Sequence, residues 1–140
     1  MSFVIDASVA LKWFVAEALS DVAEELLLSP ADLHAPDLLV VEVTNAAWKK
    51  VLRGEIGRSQ AKLMAVAIHR GGPTLYPSEL FIERALEIAL VLDHPVYDCL
   101  YLACAESLEA SLVTTDARLL RTVESTTFAA TVRPLNELRF

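Results

Sequence analysis

The sequence predicts an α/β fold in which a short parallel sheet is flanked by helices on both faces. Two apolar runs, residues 3–5 and 111–115, have the composition of buried strands, and each leads into an aspartate. Segments with helical periodicity alternate with short strand-like runs, as expected of parallel strands joined by helices. Because no repeat, low-complexity tract or linker divides the chain, we expect one domain over residues 1–140.

Seven helices and three further strands are predicted from apolar periodicity and from the residues that start and stop helices. The helices cover residues 9–16, 20–28, 37–53, 58–70, 78–92, 97–109 and a short segment that ends at residue 123. The further strands cover residues 33–36, 74–76 and 131–133.

In the first half of the chain, caps and breakers set the predicted bounds. Ser20 is a suitable N-cap for the second helix, and Pro30 stops that helix. Pro36 and Asp37 open the third helix, which Gly54 ends.

In the second half, similar signals recur. The Gly-Gly-Pro sequence of residues 71–73 closes the fourth helix. Ser78 is expected to cap the fifth, with Glu79 in its first turn, and Pro95 breaks the chain before the sixth.

Composition limits the class of protein. With 54% apolar and 22% charged residues, the chain has the composition of a folded globular protein and not of a disordered one. No apolar run is long enough to cross a membrane and no basic leader opens the chain, so we expect a cytoplasmic protein. Cys99 and Cys104 lie on different sides of a predicted helix, which favours two buried thiols over a disulfide or a zinc pair.

The charge distribution bears on nucleic-acid binding. A net charge of −7 has the wrong sign for a nucleic-acid partner when the chain is taken as a whole. Basic residues nevertheless gather in one region, where we expect contacts to the phosphates of any nucleic-acid partner: Lys49, Lys50, Arg53, Arg58 and Lys62. Trp48 in the same region could stack on a base, but an aromatic residue in a helix is more often part of the core.

Four acids stand out because each lies in apolar surroundings at or near the end of an element. Asp6 and Asp116 follow the two main strands, and adjacent parallel strands bring such residues to one edge of a sheet. Glu42 lies in the apolar start of the third helix, and Asp98 opens the sixth.

Each acid also has a purely structural interpretation. Asp6 and Asp116 have the character of helix caps, and Asp98 that of an acid at a helix start. Glu42 could pair with Lys49, seven residues on. The four together favour a shared site more than any one of them does.

If the four acids converge, they require a cation or shared protons. Two carboxylates about 5 Å apart repel each other by roughly 3 kcal/mol at an effective dielectric near 20. Oxygen ligands without cysteine or histidine favour Mg²⁺ or Mn²⁺ over zinc, and the three histidines, His34, His69 and His94, lack metal-ligand spacing and are expected on the surface or in turns. Such a pocket without a phosphate-cradling glycine loop predicts metal-assisted cleavage of phosphodiesters.

Four motifs carry a resemblance to a known family. In chain order they are residues 4–8 (VIDAS), 42–46 (EVTNA), 97–103 (YDCLYLA) and 112–116 (LVTTD). Together they resemble PIN-domain ribonucleases, and within these the VapC-type toxins of toxin–antitoxin pairs. The resemblance covers nearly the whole chain.

The resemblance implies a PIN-like fold, cleavage of RNA that depends on Mg²⁺ or Mn²⁺, a homodimer and neutralisation by a small antitoxin protein. It also assigns Asp6, Glu42, Asp98 and Asp116 to the catalytic, metal-binding quartet of the family. Ser8 and Thr115 match supporting positions, and Asn45, on the face of Glu42, is a third supporting candidate. Residues 117–120 lack the aromatic residue and extra acid that some members carry, which leaves the role of the fourth acid open.

Two alternatives stay open at this stage. A haloacid-dehalogenase-type phosphohydrolase also begins with a strand that ends in aspartate, but it needs a second aspartate where this chain has Ser8. A non-catalytic PIN-like binding module would be expected to have lost an acid of the quartet, and none is lost.

The partner site is predicted from two aromatic residues. Trp13 and Phe14 lie on a short helix that has little core of its own to share. We expect the more exposed of the two to contact an antitoxin or a second subunit, although both could be buried.

Overall fold

A computed structural model describes residues 1–139 and contains one five-stranded sheet. Its strands are β1 (Ser2–Ile5), β2 (Asp32–Pro36), β3 (Thr74–Tyr76), β4 (Ser111–Thr114) and β5 (Val132–Pro134). Its α-helices are α1 (Ala7–Ala10), α2 (Ser20–Leu28), α3 (Leu38–Leu52), α4 (Arg58–Gly71), α5 (Ile82–Leu92), α6 (Val96–Leu108) and α7 (Ala117–Val123). Short 3₁₀ turns cover Leu11–Trp13, Ser78–Phe81, Thr127–Ala130 and Leu135–Glu137.

All strand pairings are parallel, which confirms the predicted α/β class. The strand order is β3-β2-β1-β4-β5, so β1 lies at the centre with β2 on one side and β4 on the other. The chain leaves β1 toward β2 and returns on its other side as β4. This reversal places the functional edge of the sheet at the carboxyl ends of β1 and β4.

The register between the two central strands determines what meets at that edge. Ile5 pairs with Val113, and both are fully buried. Asp6 and Thr114, one residue further along each strand, are therefore neighbours at the carboxyl end. A buried acid beside a buried hydroxyl at this point follows directly from the parallel pairing.

The core lies around β1, β4 and α6. Residues 99–105 of α6 are all buried, because this helix packs against the sheet with one side and against α5 with another. Cys99 and Cys104 are free and buried, as predicted. Within residues 1–139 no single helix is both long and apolar enough to cross a membrane. The bent helix pair Ser78–Leu92 and Val96–Leu108 reaches that length and apolar composition only when the two helices are counted together.

Two predicted caps are wrong, because both serines bond elsewhere. Leu19 occupies the N-cap position of α2, while the Ser20 hydroxyl accepts the Glu17 N–H at 3.0 Å and donates to the Val15 carbonyl at 2.9 Å. Ser78 does not cap its own helix. Its hydroxyl accepts the N–H of Leu38 at 3.0 Å and so satisfies the start of α3.

The first helix is shorter than predicted. The α-helical conformation ends at Ala10, and a 3₁₀ turn follows over Leu11–Trp13. The tighter turn accompanies a tertiary contact, in which the Trp13 indole N–H donates to the Ala23 carbonyl of α2 at 2.8 Å.

Candidate active site

Asp6 is the most deeply buried acid of the site. It follows the central strand and caps α1, with Oδ1 accepting from the Ser8 hydroxyl at 2.6 Å and from the Val9 N–H at 3.2 Å. The Thr114 hydroxyl donates to the other oxygen, Oδ2. Burial raises the pKa of Asp6 to about 6, the three donors oppose that rise, and the charge of Asp98 adds to it. Asp6 is therefore both a helix cap and a buried carboxylate held by several donors.

Two more hydrogen bonds order the chain around Asp6, one between Ser8 and the residue after β4 and one within the end of β4. The Ser8 hydroxyl accepts the Thr115 N–H at 3.0 Å, and the Thr114 hydroxyl accepts the Asp116 N–H at 3.0 Å. Ser8 thus lies where the sequence predicts a supporting residue, while Thr115 contributes here through its backbone. Thr114 was missed by the sequence analysis, although its place directly after the apolar pair Leu112 and Val113 and just before Asp116 was a signal for it.

Glu42 is held by a tyrosine. It lies half-buried on α3, and the hydroxyl of Tyr101 on α6 donates to its Oε1 at 2.5 Å. Burial raises the pKa of Glu42, the Tyr101 hydrogen bond opposes this, and the charge of Asp98 reinforces it. Burial, and secondarily the Glu42 charge, holds the pKa of Tyr101 well above its usual value, so its hydroxyl stays a donor. Among the described residues, Glu42 forms no ion pair with Lys49 within 4.0 Å.

Asp98 is held by a histidine that the sequence analysis missed as a site residue. His94 lies in the turn between α5 and α6, as predicted, but its side chain is only 1% exposed. Its Nε2 is 2.6 Å from Oδ2 of Asp98, whose side chain is 26% exposed. The spacing of four residues across Pro95 was the one signal for this contact.

Asp116 serves chiefly as a cap. Its Oδ1 accepts the N–H groups of Arg118 at 2.9 Å and Leu119 at 3.3 Å at the start of α7. The charge of Asp98 raises the pKa of both Asp6 and Glu42, whereas Asp116 contributes to neither rise. Three of the four predicted acids thus form one electrostatic cluster, which we call the acid cluster: Asp6, Glu42 and Asp98. Asp116 joins it only through Thr114.

The donor chemistry of these acids fits a hard divalent cation. Each acid uses one oxygen for most of its contacts and keeps capacity on the other. Within residues 1–139, no hydrogen bond reaches Oε2 of Glu42, Oδ1 of Asp98 or Oδ2 of Asp116, and Oδ2 of Asp6 accepts one. Carboxylate oxygens in this number are ligands for Mg²⁺ or Mn²⁺. As the side chains stand, no three acids, histidines or cysteines in the described chain are close enough together to enclose an ion.

The predicted basic group is divided among different surfaces. Lys49 shares a groove with Glu42 and Asn45, whereas Lys50 pairs with Glu55 at 3.2 Å. Arg58 and Lys62 line a second groove, between α3 and α4, and the exposed Arg53 follows the end of α3.

The aromatic residues differ from expectation in one case. Trp48 is 57% exposed and lines the groove of Arg58 and Lys62, so its predicted place in the helix core is wrong. Trp13 and Phe14 are both half-buried against the core and line a groove with Leu27 and Arg70.

Comparison with known proteins identifies the family. The model of the PIN domain matches residues 3–124. Ribonuclease VapC3 of Pyrobaculum aerophilum is 31% identical over 128 residues, which cover 85% of this chain and 92% of the relative. Ribonuclease VapC9 of Mycobacterium tuberculosis is 34% identical over 116 residues, which cover 83% of this chain and 87% of the relative.

Solved structures agree on the fold. A toxin–antitoxin complex from Klebsiella pneumoniae aligns with a TM-score of 0.69 at 16% identity, over 96% of this chain and 98% of that one. VapC20 of Mycobacterium tuberculosis, a toxin that cleaves the sarcin-ricin loop, aligns with a TM-score of 0.66 at 15% identity, over 91% of this chain and 93% of that one. This chain therefore belongs to the PIN-domain family, and its relatives within that family include the VapC ribonucleases.

Proposed function

We propose that this protein is a metal-dependent endoribonuclease that acts as the toxin of a toxin–antitoxin pair. The observation that carries the proposal is the acid cluster at the carboxyl end of the central strand, where separate side chains hold Asp6, Glu42 and Asp98 in place. Nearby like charges at the functional edge of an α/β sheet are characteristic of a site built to hold a cation. The relatives named VapC ribonucleases support the choice of RNA as substrate.

The acid cluster would hold the cation, which we propose is Mg²⁺ or Mn²⁺. Asp116 is the fourth candidate ligand, through the oxygen that its capping role leaves unused. A divalent cation bound there would lower the pKa of a water molecule and offset negative charge on the phosphate. The neighbouring donors have a different task. Ser8 and Thr114 hold Asp6, Tyr101 holds Glu42, and His94 holds Asp98. These contacts fix the orientation of the remaining carboxylate oxygens.

We further propose that Lys49 contacts a substrate phosphate, because it is exposed in the groove that contains Glu42. The other four basic residues lie outside that groove. Lys50, Arg53, Arg58 and Lys62 then contribute to the attraction of RNA at longer range.

The proposed partners are an antitoxin protein and a second copy of the chain. The groove of Trp13, Phe14, Leu27 and Arg70 combines apolar walls with one cation, which suits a protein segment of mixed apolar and acidic character. For the homodimer, the support is an exposed apolar stripe on α5. Its members are spaced four residues apart on one helical face: Ile82, Leu86 and Leu90.

The function is tested by cleavage of single-stranded RNA by the purified protein. We expect cleavage with Mg²⁺ or Mn²⁺ that stops when a chelator removes the metal. Asp98→Asn should abolish it, while Asp21→Asn, which neutralises an exposed acid on α2, should not change it. Metal-independent cleavage, or equal activity of the two variants, would overturn the proposal. Light scattering on the same samples reports the oligomeric state.

A further inference from the structure

A groove of about 420 Å³ opens directly from the acid cluster. One acid, Glu42, is part of its wall. Two more wall residues are chain neighbours of the other acids, because Ala7 follows Asp6 and Tyr97 precedes Asp98. A molecule in this groove therefore lies beside the cluster.

Tyr97 is the wall residue that the fold does not account for. It is 64% exposed in the first turn of α6, while Tyr101, one turn further along, is 1% exposed and bonds Glu42. A tyrosine that is exposed to this extent gains little stabilisation from burial, so packing does not explain why a tyrosine occupies this position. An exposed aromatic face beside nuclease acids has the properties of a stacking surface for an unpaired base.

The opposite wall supplies a cation and an amide. Asn45 and Lys49 lie on α3, about one and two turns beyond Glu42 in the chain. Among the described residues Lys49 forms no ion pair within 4.0 Å, whereas its neighbour Lys50 is paired with Glu55. The groove thus contains a cation that is available for a phosphate and a side chain that can bond the edge of a base.

We propose that this groove binds one unpaired nucleotide of the RNA next to the cleaved bond, with its base stacked on Tyr97 and a phosphate at Lys49. The inference rests on the proposed function and names the part of the substrate that this surface recognises. The small side chains of Ala7 and Ala46 line the same groove and leave space for the base. Such a site binds single-stranded RNA and tolerates different bases, because every base has a face on which to stack.

The test measures binding of a short fluorescein-labelled single-stranded RNA of mixed sequence in the presence of chelator. Tyr97→Ala should weaken binding roughly tenfold to a hundredfold, and Tyr97→Phe should restore most of it, because stacking needs the ring and not the hydroxyl. Lys49→Ala should weaken binding and reduce its dependence on salt, while Lys50→Ala should do so much less. Leu63→Ala removes an exposed apolar side chain on α4, outside this groove, and should leave binding unchanged. The melting temperature of each variant reports folding.

A second measurement identifies the contact as stacking. In an RNA that the wild-type protein cleaves, single nucleotides around the cleaved bond are replaced by abasic ones. At the position whose base stacks on Tyr97, the abasic RNA should lower kcat/KM for the wild type relative to the intact RNA. For Tyr97→Ala, the intact and the abasic RNA should give the same kcat/KM. Additive losses at every position would overturn the stacking contact.

Three outcomes separate this inference from the proposed function. If the wild type cleaves RNA with metal but Tyr97→Ala binds and cleaves it normally, the nucleotide site is wrong while the nuclease assignment stands. If Tyr97→Ala instead loses only neutralisation by the antitoxin, the groove is a protein-binding surface and the inference is overturned. If the wild type neither binds nor cleaves RNA, the proposed function itself fails.

Discussion

The Tyr101 hydroxyl donates a 2.5 Å hydrogen bond to Glu42, which lies 59 residues earlier in the chain. The bond joins α6 to α3 and fixes one acid of the cluster from the buried side. It also favours the ionised form of Glu42, because a donor stabilises the carboxylate against the burial that raises its pKa.

Tyr101→Phe should therefore raise the pKa of Glu42 further. The acidic limb of the pH profile of kcat should move to higher pH, and activity on that limb should fall about tenfold, since the proposed site needs ionised acids. The matched control is Tyr76→Phe, which removes a tyrosine hydroxyl bonded to His34 at 2.9 Å away from the cluster. A pH profile that shifts equally in both variants would contradict the role given to Tyr101.

Metal-free stability should fall as pH rises through the pKa of Asp6. The pKa is raised from 3.8 to about 6, so the folded state binds more protons than the unfolded state between these values. The stabilisation is fully present below about pH 4 and is lost by about pH 6, a difference of about 3 kcal/mol.

Thermal melts in chelator between about pH 4 and 7 check this. The melting temperature of the wild type should decrease relative to that of Asp6→Asn over this window. Added Mn²⁺ should raise the melting temperature of the wild type at pH 7, because a cation that binds the folded state stabilises it. If the difference in melting temperature between the wild type and Asp6→Asn stays constant across this pH window, the result would be inconsistent with a buried, ionisable Asp6.

His94 is expected to act as a positioning residue for Asp98. His94→Leu keeps an apolar side chain in the buried position but removes the nitrogen 2.6 Å from Asp98 Oδ2, so Mn²⁺ binding measured by calorimetry should weaken by roughly tenfold or more. His94→Gln retains an N–H donor at similar reach and should recover much of the affinity. His34→Leu removes a histidine bonded to Tyr76 and should leave Mn²⁺ binding unchanged. Unaltered affinity in His94→Leu would show that the contact is only structural.

Phe14 is the better test of the proposed antitoxin groove, since Trp13 is anchored by its bond to Ala23. Phe14→Ala should weaken neutralisation by the antitoxin about tenfold while RNA cleavage by the free protein stays within about twofold, because buried aromatic residues dominate such interfaces. Leu63→Ala, an exposed apolar position on α4, is the control. Parallel loss of neutralisation and cleavage, or unfolding, would show that Phe14 belongs to the core.

The sequence predicted the fold class and the location of three clustered acids for an identifiable reason. Asp6 follows an apolar strand, and Glu42 and Asp98 lie in apolar helix starts, so local pattern and burial agree at these positions. Asp116 lies at the expected edge, and its capping role was one of its two local interpretations. Its place outside the acid cluster depends on side-chain direction, which no local pattern encodes.

Apart from Ser8, the residues that hold the acids could not be found in this way, and the places of Ser78 and Trp48 were predicted wrongly. Tyr101 has the sequence context of a core residue in an apolar helix. Its role in holding Glu42 depends on a contact with α3, since Glu42 lies 59 residues earlier in the chain. Ser78 appeared to cap its own helix and instead caps α3. Trp48 was expected in the core, but Val43 and Ala47 form the buried face of α3 and leave the indole outside. In each case a tertiary contact decided between interpretations that the local sequence left equal.

The assignment of the active site is tested most directly by comparing RNA cleavage by the wild type, Asp6→Asn and Asp21→Asn at saturating Mn²⁺, with Mn²⁺ binding measured on the same samples. We expect Asp6→Asn to fold, to bind Mn²⁺ much more weakly and to cleave at least a hundredfold more slowly, while Asp21→Asn matches the wild type, since cation and acid cluster act together. Cleavage by Asp6→Asn at the wild-type rate would contradict the assignment of the active site to the acid cluster.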